Sequence, residues 1–495
     1  MVDTRTENLH VAVVGGGIAG LAAAWSLVHD HGVHNVTVLE SAPQVGGKVA
    51  VAEFAGLPVD IGAEAMLATR PEAVEFAQQV GLAADVIHAT TASASVLVDG
   101  VLKPLPVGTV MGVPTDMGVL ARSGIFDATA LARIPLDHVM ARTEIGADIS
   151  IGDYVTTRLG PQVVDRLVAP LLGGVYAGAP EKLSMRSTVP ALFAAAVEER
   201  SLLAAARSVR AAAPAREPGQ PVFAGIAGGV GRLAGATRTA LVDAGVQVRT
   251  GATVRELAAR PHGWRLTLGS VPEPEFLDVD LVILATPAPA TRRLLQEVAP
   301  RAAGALADIE YASVATVLLA YRAQDLVGPD VEGGDAVGLP AGSGFLVPPS
   351  EPRHIKAATY SSQKWGWLGK LASAQGLTII RSSLGRIGEV AVLQRDDDEI
   401  AALAHADLAF VLRLGASKPV AQSVTRWGGA LPQYDVGHSE RVRTIRDAVE
   451  VLPGLAVCGA AYDGVGIPAC IASARLAVEQ ALATGVATPA EALRE

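Results

Sequence analysis

The chain has 495 residues, half of them hydrophobic but only 4% aromatic, with a formal net charge of −10 and a pI near 5.5. That length allows about two to four domains and a substantial core, and the acidity argues against nucleic acid and against general attraction to anionic membranes. Every apolar run is broken by Gly, Pro or charge, so no transmembrane helix is expected and membrane contact, if any, is peripheral.

Residues 1–8 are polar and mixed in charge, unlike a signal peptide. Residues 9–14 form an apolar run that reads as a strand. Gly15-x-Gly17-x-x-Gly20 follows as a tight turn, 18–28 as a helix, and 36–39 as a second strand running into Glu40. Each part has a physical task. Gly15 permits the turn, Gly17 lets the backbone approach a pyrophosphate, and Gly20 lets the helix pack closely on the strand. The helix N-terminus, with Ile18 and Ala19, offers free N–H groups and partial positive charge to phosphates. Glu40, twenty residues beyond Gly20, can accept hydrogen bonds from a ribose hydroxyl pair.

Six residues after Glu40 comes Gly46-Gly47-Lys48, then Val59-Asp60-Ile61-Gly62-Ala63-Glu64. Taken alone the glycine pair suits an ordinary loop equally well. Behind an N-terminal dinucleotide unit it favours FAD, because two-domain flavoproteins place a GG-Arg segment there. Lys48 keeps the point charge of that Arg but not its bidentate fork.

Beyond residue 90 the chain divides. Ser150-x-x-Asp153 is a capping-box signal, 189–210 is an Ala-rich amphipathic stretch, and 211–221 reads as an exposed linker. Strand-like runs recur at 246–249, 254–257, 264–268 and 280–285, the last ending in Thr286-Pro287. Residues 308–425 alternate strand and turn. Near the end, 455–458 leads into Gly459, and 468–482 reads as a helix. The expected fold class is α/β: a discontinuous FAD-binding Rossmann-like domain (1–90, 219–300, 440–487), a mixed-sheet substrate domain (301–439) and a mainly helical insertion (91–218). Cys458 and Cys470 have no C-x-x-C spacing and suit small buried thiols in a reducing cytoplasm; no metal site is expected.

Over nearly its whole length the chain resembles the protoporphyrinogen/coproporphyrinogen III oxidases, a branch of the flavin amine oxidase superfamily. The resemblance rests on GGGIAGLAAA with Glu40, Leu172-Gly-Gly-Val-Tyr176-Ala-Gly178 with Lys182-Leu-Ser184, and Phe223 to Leu233. Further pieces are Ala285-Thr-Pro287, Ser343-Gly-Phe345-Leu-Val-Pro348, Ser362-Gln-Lys364-Trp365, Trp427 to Pro432-Gln-Tyr434 with Gly437-His438, and Asp463-Gly464-x-Gly466-Ile-Pro468. Lys48 in place of Arg, and Ala179 where the family often carries Asp, are departures.

The resemblance implies FAD as cofactor and a porphyrinogen, a tetrapyrrole, as substrate. Six electrons leave the macrocycle two at a time as hydride to the flavin, and dioxygen reoxidises it to give hydrogen peroxide. Of the two porphyrinogens, the absence of an anchor and the acidic surface favour coproporphyrinogen III, with cytoplasmic location and onward transfer of the porphyrin to a downstream enzyme. Protoporphyrinogen IX is the alternative. An amine oxidase or desaturase fits less well, since an amine cage needs aromatics that this chain has in short supply. The cofactor set implied is Gly15, Gly17, Ile18, Ala19, Gly20, Glu40, Gly46, Gly47, Lys48, Gly62, Ala63, Val254, Gly459, Gly466, Ile467 and Pro468. Pro468 is expected at the first position of the last helix, whose N-terminus can face the flavin N1/O2 edge. Arg70 matches a position where a basic residue meets a propionate, and Phe345 and Leu346 are candidates for an apolar wall. His438 is left as structural, Lys364 and Trp365 have no assigned role, and no catalytic acid or base is identified.

Overall fold

Wholly apolar strands such as Val11–Val14 and Leu281–Leu284 need cover on both faces, and a parallel sheet packed on both sides provides it. The strands β1 (Val11–Val14), β2 (Val36–Leu39), Gln247–Arg249, Leu281–Leu284 and Leu455–Val457 form one five-stranded parallel sheet. β1 lies at its centre, between β2 and Leu281–Leu284. Side chains alternate along β1. Val11 and Val13 enter a core with the helix α1 (Ile18–His29) and the last helix, Ile467–Gly485, while Ala12 and Val14 enter a core on the other face. That second face carries the antiparallel strands Val254–Ala259, Trp264–Gly269 and Pro274–Val279. The computed structural model describes residues 9–214, 221–326 and 338–485. Residues 1–8 and positions 215–220 of the expected linker lie outside them.

A second sheet has seven strands in the order Ala421–Pro432, Tyr311–Arg322, Leu377–Leu384, Ile355–Thr359, Gly344–Leu346, Ser95–Val98, Val101–Pro104. It is mixed, because Gly344–Leu346 pairs parallel with Ser95–Val98. Period-two alternation again assigns the faces. Val317, Leu319 and Tyr321 pack under the helix Asp397–Leu412, and Leu318 and Ala320 pack with Trp365 and Leu368 on the opposite side. The chain after Pro104 is helical, and its core buries Arg158 completely. Arg158 is matched by Asp137 at 2.5 Å and by the carbonyls of Ala141, Asp137 and Arg200.

Several elements differ from the sequence expectation. The amphipathic stretch 189–210 is two helices, Pro190–Glu198 and Leu202–Ala212, because the Ser201 hydroxyl caps the second one. The stretch 91–218 opens with the hairpin of Ser95–Val98 and Val101–Pro104, which belongs to the seven-stranded sheet. Between 308 and 425 the strands are joined by the helices Gly366–Ala374 and Asp397–Leu412. Pro468 is the second residue of its helix, a shift of one that leaves it in the first turn, where its missing N–H costs nothing.

Candidate cofactor and substrate site

The glycine turn at the C-terminal end of β1 is built as its spacing demands. Gly15 has φ +108°, and a Cβ there would fall 2.8 Å from the Ala285 carbonyl oxygen. A Cβ on Gly20 would sit 1.8 Å from the Gly15 oxygen, so only glycine lets α1 start this close to the strand. Gly17 differs. A Cβ there meets nothing within 4 Å, because Gly17 faces a cavity. The start of α1 has no side-chain cap and no acid in its first turn, so its leading N–H groups remain available to an anion.

Two further segments complete this end. The Glu40 carboxylate accepts from Gly16 N at 2.7 Å and from Ala42 N at 2.8 Å, which ties the end of β2 to the glycine turn. Gly46 N donates to Gly16 O at 2.8 Å, laying the second glycine pair alongside the first. Lys48 follows, half-buried, with no ion-pair partner among the described residues. Burial lowers the pKa of its amine, with Cys470 pulling the other way.

These pieces enclose a cavity of ≈ 550 Å³. Of the sixteen residues expected to bind cofactor, Gly15, Gly17, Ile18, Ala19, Glu40, Gly46, Gly47, Lys48, Ala63, Val254, Gly459 and Ile467 line it. Gly20, Gly62 and Pro468 are buried behind the lining, and Gly466 is exposed outside it. Gly62, for instance, is held against the Lys48 backbone, where a Cβ would fall 2.0 Å from the carbonyl oxygen. The sequence reading missed Thr253, Thr286, Arg293, Trp427, Val465 and Cys470, all in the wall. Thr286 and Trp427 stand in segments that carried the family resemblance, so position in a shared motif was the signal available for them.

One seam joins the cavity to the seven-stranded sheet. Trp427 Nε1 donates to Ile61 O at 3.0 Å, Arg381 donates to Gly62 O, and Ala63 N donates to Lys48 O at 2.9 Å. Beside them Glu64 accepts from Lys364 at 2.7 Å and from Arg381 at 3.0 Å, all three largely buried. Burial alone would raise the Glu64 pKa, but the two cations outweigh it and hold it down at about 2. Lys364, unassigned from sequence, is therefore an ion-pair partner whose ammonium also lies over the Phe223 and Trp365 rings.

The expected substrate residues are scattered. Arg70 is bonded to its neighbour Glu72 at 2.5 Å with 42% of its side chain exposed, and it is absent from the cavity wall. Phe345 is 1% exposed and packs in the core beneath the sheet with Tyr360, so it forms no open wall. Leu346, on the opposite face of that strand, is half-buried and faces Gly174 of the helix Ala169–Tyr176. Cys458 and Cys470 are free and buried. Among the described residues no group of His, Cys, Asp and Glu could hold a metal, and no helix is long and apolar enough to cross a membrane.

The pattern of the flavin-containing amine oxidoreductases matches residues 18–482. The chain is 37% identical over 476 residues to a coproporphyrinogen III oxidase of Mycobacterium tuberculosis, covering 94% of this chain and 96% of that protein. It is 30% identical to the enzyme of that name from Bacillus subtilis, covering 96% and 98%. The solved structure of an Exiguobacterium sp. 255-15 protein assigned as a protoporphyrinogen oxidase superposes with a TM-score of 0.79 at 28% identity, covering 95% of this chain and 98% of that one. A glycine cradle open at Gly17, an uncapped helix start and an unpaired Lys48 suit the pyrophosphate of a dinucleotide. The chain therefore belongs to the flavin-containing amine oxidoreductases, in the branch of the protoporphyrinogen/coproporphyrinogen III oxidases, and its cofactor is FAD.

Proposed function

We propose that this protein oxidises coproporphyrinogen III to coproporphyrin III in haem biosynthesis, using three dioxygen molecules and releasing three of hydrogen peroxide. The observation that carries the reading is the joining of a dinucleotide cavity, through the Ile61–Glu64 seam, to a separate seven-stranded sheet. The names of the relatives support the substrate. When bound, FAD supplies the electron-accepting chemistry.

The chain's own residues hold and tune. The N–H groups at the start of α1 and the Lys48 ammonium would neutralise the pyrophosphate. Glu40, already oriented by Gly16 and Ala42, has lone pairs left for ribose hydroxyls. At the other end Val465, Ile467 and Cys470 line the cavity, so the start of the last helix adds partial positive charge there. Gly459, Ala460 and Trp427 also line the cavity, where they would shield the bound flavin from water. We place the protein in the cytoplasm, with the porphyrin passed on to a later enzyme.

Anaerobic mixing with each porphyrinogen tests this reading. Bleaching of the flavin absorbance by coproporphyrinogen III, faster than by protoporphyrinogen IX and reversed by air with peroxide formed, is the expected result. Because four propionates meet the site rather than two, the KM for coproporphyrinogen III should also be the more salt-sensitive. Faster bleaching by protoporphyrinogen IX would transfer the assignment to that substrate.

A further inference from the structure

Six charged Asp, Lys and Arg side chains are buried among the described residues, and five of them are matched. Asp60 accepts from Val230 N and Gly231 N, Asp137 and Arg158 pair with each other, and Lys364 holds Glu64. Asp407, on the helix Asp397–Leu412, is taken by the N–H groups of His354 and Ile355 and by Arg353 at 3.6 Å. Lys356 is the exception. It is 5% exposed on the strand Ile355–Thr359, and its ammonium has no hydrogen bond or ion pair among the described residues.

Its surroundings are positive. Arg386 bonds the Val347 carbonyl at 2.8 Å, Val347 N in turn donates to the Lys356 main-chain carbonyl, and the Arg386 charge bears on the Lys356 amine. Glu389 is the one acid bearing on Lys356; it is half exposed and lies 3.5 Å from Arg386. Arg381, on the adjacent strand, is committed to Glu64. The loop that carries Arg386 docks on the helix Ala169–Tyr176, with Ile387 N donating to Ala177 O at 2.7 Å. On that helix Gly174 faces Leu346, whose strand partner is Ala357, the residue after Lys356.

We infer that Lys356, with Arg386 beside it, forms a subsite for one propionate-type carboxylate of the substrate, at the seam between the seven-stranded sheet and the helix Ala169–Tyr176. An ammonium buried without a partner destabilises the fold, and a carboxylate arriving with the substrate supplies the missing charge. Burial and the nearby Arg386 lower the Lys356 pKa to about 7, with Glu389 opposing and Arg381 adding to the effect. The bound anion restores the charged form. The inference rests on the porphyrinogen reading above and deepens it by naming which side chains meet the carboxylate.

The test compares Lys356→Met and Lys356→Arg with the wild-type holoenzyme. The Met variant keeps the stem and removes the charge. Its KM for coproporphyrinogen III should rise about tenfold or more with kcat within about twofold, and the Arg variant should recover most of the loss. Fluorescence titration with coproporphyrin III should show the same weakening without turnover. Thermal unfolding should leave the Met variant at least as stable as wild type. Unchanged KM and porphyrin affinity in Lys356→Met, with an active wild type, would overturn the subsite alone. A Met variant with clearly lowered stability would reassign the lysine to the fold. A wild type that neither binds nor oxidises either porphyrinogen would overturn the functional reading and the subsite together.

Discussion

Tyr434 lies face to face with His438, the ring centroids 3.8 Å apart and the planes 15° from parallel. The Tyr434 hydroxyl donates to Ala460 O and accepts from Gly464 N, both at 2.7 Å. Ala460 is in the cavity wall, and Gly464, at φ +130°, turns the chain into the last helix. Gln433, next to Tyr434, donates to Tyr176 O at 2.8 Å, and a Cβ on Gly178 would fall 2.5 Å from its Oε1. Three signatures, at 176–178, 432–438 and 462–468, thus meet around the loop that lines the cavity ahead of the last helix. His438 serves this packing. Burial, with Arg441, lowers its pKa to about 4, so it is neutral at physiological pH.

Tyr434→Phe should therefore act on the cofactor without touching it. Removing the hydroxyl leaves a carbonyl and an N–H without their partner, at a cost of about 1–3 kcal/mol. The expected result is faster FAD release and a lower unfolding temperature, with the ring stack retained. Stability and FAD release equal to wild type would show that the loop holds itself.

Gly17→Val should abolish FAD binding and spare the fold. No protein atom lies within 4 Å of the added Cβ, so the valine projects into the cavity where the pyrophosphate belongs. Flavin absorbance per protein should fall to background, with the circular dichroism unchanged.

Glu40→Ala should weaken FAD binding by roughly 1.5–3 kcal/mol, the range for hydrogen bonds to a charged group. Two losses combine, since the carboxylate also holds Gly16 N and Ala42 N. Glu40→Gln keeps an acceptor oxygen and should recover part of the affinity in a fluorescence titration.

The dinucleotide end was legible because its constraints are local. Glycines at 15, 17 and 20, a strand of four apolar residues and an acid after β2 fix one geometry within about thirty residues. The seven-stranded sheet was less legible. Its strands come from 95–104 and 311–432, and a hairpin that completes a distant sheet carries no mark of its partner. Lys364 and Lys356 show the same limit at the level of side chains. One lysine is paired and the other is not, and that difference depends on Glu64, three hundred residues away from Lys364.

Arg70→Ala tests the residue that sequence similarity favoured for the substrate. Its guanidinium is held by Glu72 and partly solvated, and an exposed pair of this kind contributes about 0–1 kcal/mol. Steady-state kinetics should give a KM for coproporphyrinogen III within about twofold of wild type. A large rise in KM at constant kcat would mean that Arg70 leaves Glu72 for a propionate.

Glu64→Gln should destabilise the protein in a pH-dependent way. The substitution leaves Lys364 and Arg381 buried without their anion, and breaking a buried pair costs roughly 3–5 kcal/mol. The folded pKa of Glu64, about 2, lies below its ordinary value of 4.5. Its contribution is therefore complete above pH 4.5 and is lost as the pH falls towards 2. Asp60 has the opposite sign. Burial raises it to about 6 against the pull of two backbone N–H groups, so it weakens the fold as the pH rises through about 6. Both proteins carry Asp60, but the Glu64 charge helps raise the Asp60 pKa, so the difference between them reports Glu64 together with its coupling to Asp60. Urea unfolding should show a gap between wild type and Glu64→Gln that is widest at neutral pH and narrows steadily under acid. A gap that stays constant down to pH 3 would mean that the glutamate holds the seam by shape and hydrogen bonding rather than by charge.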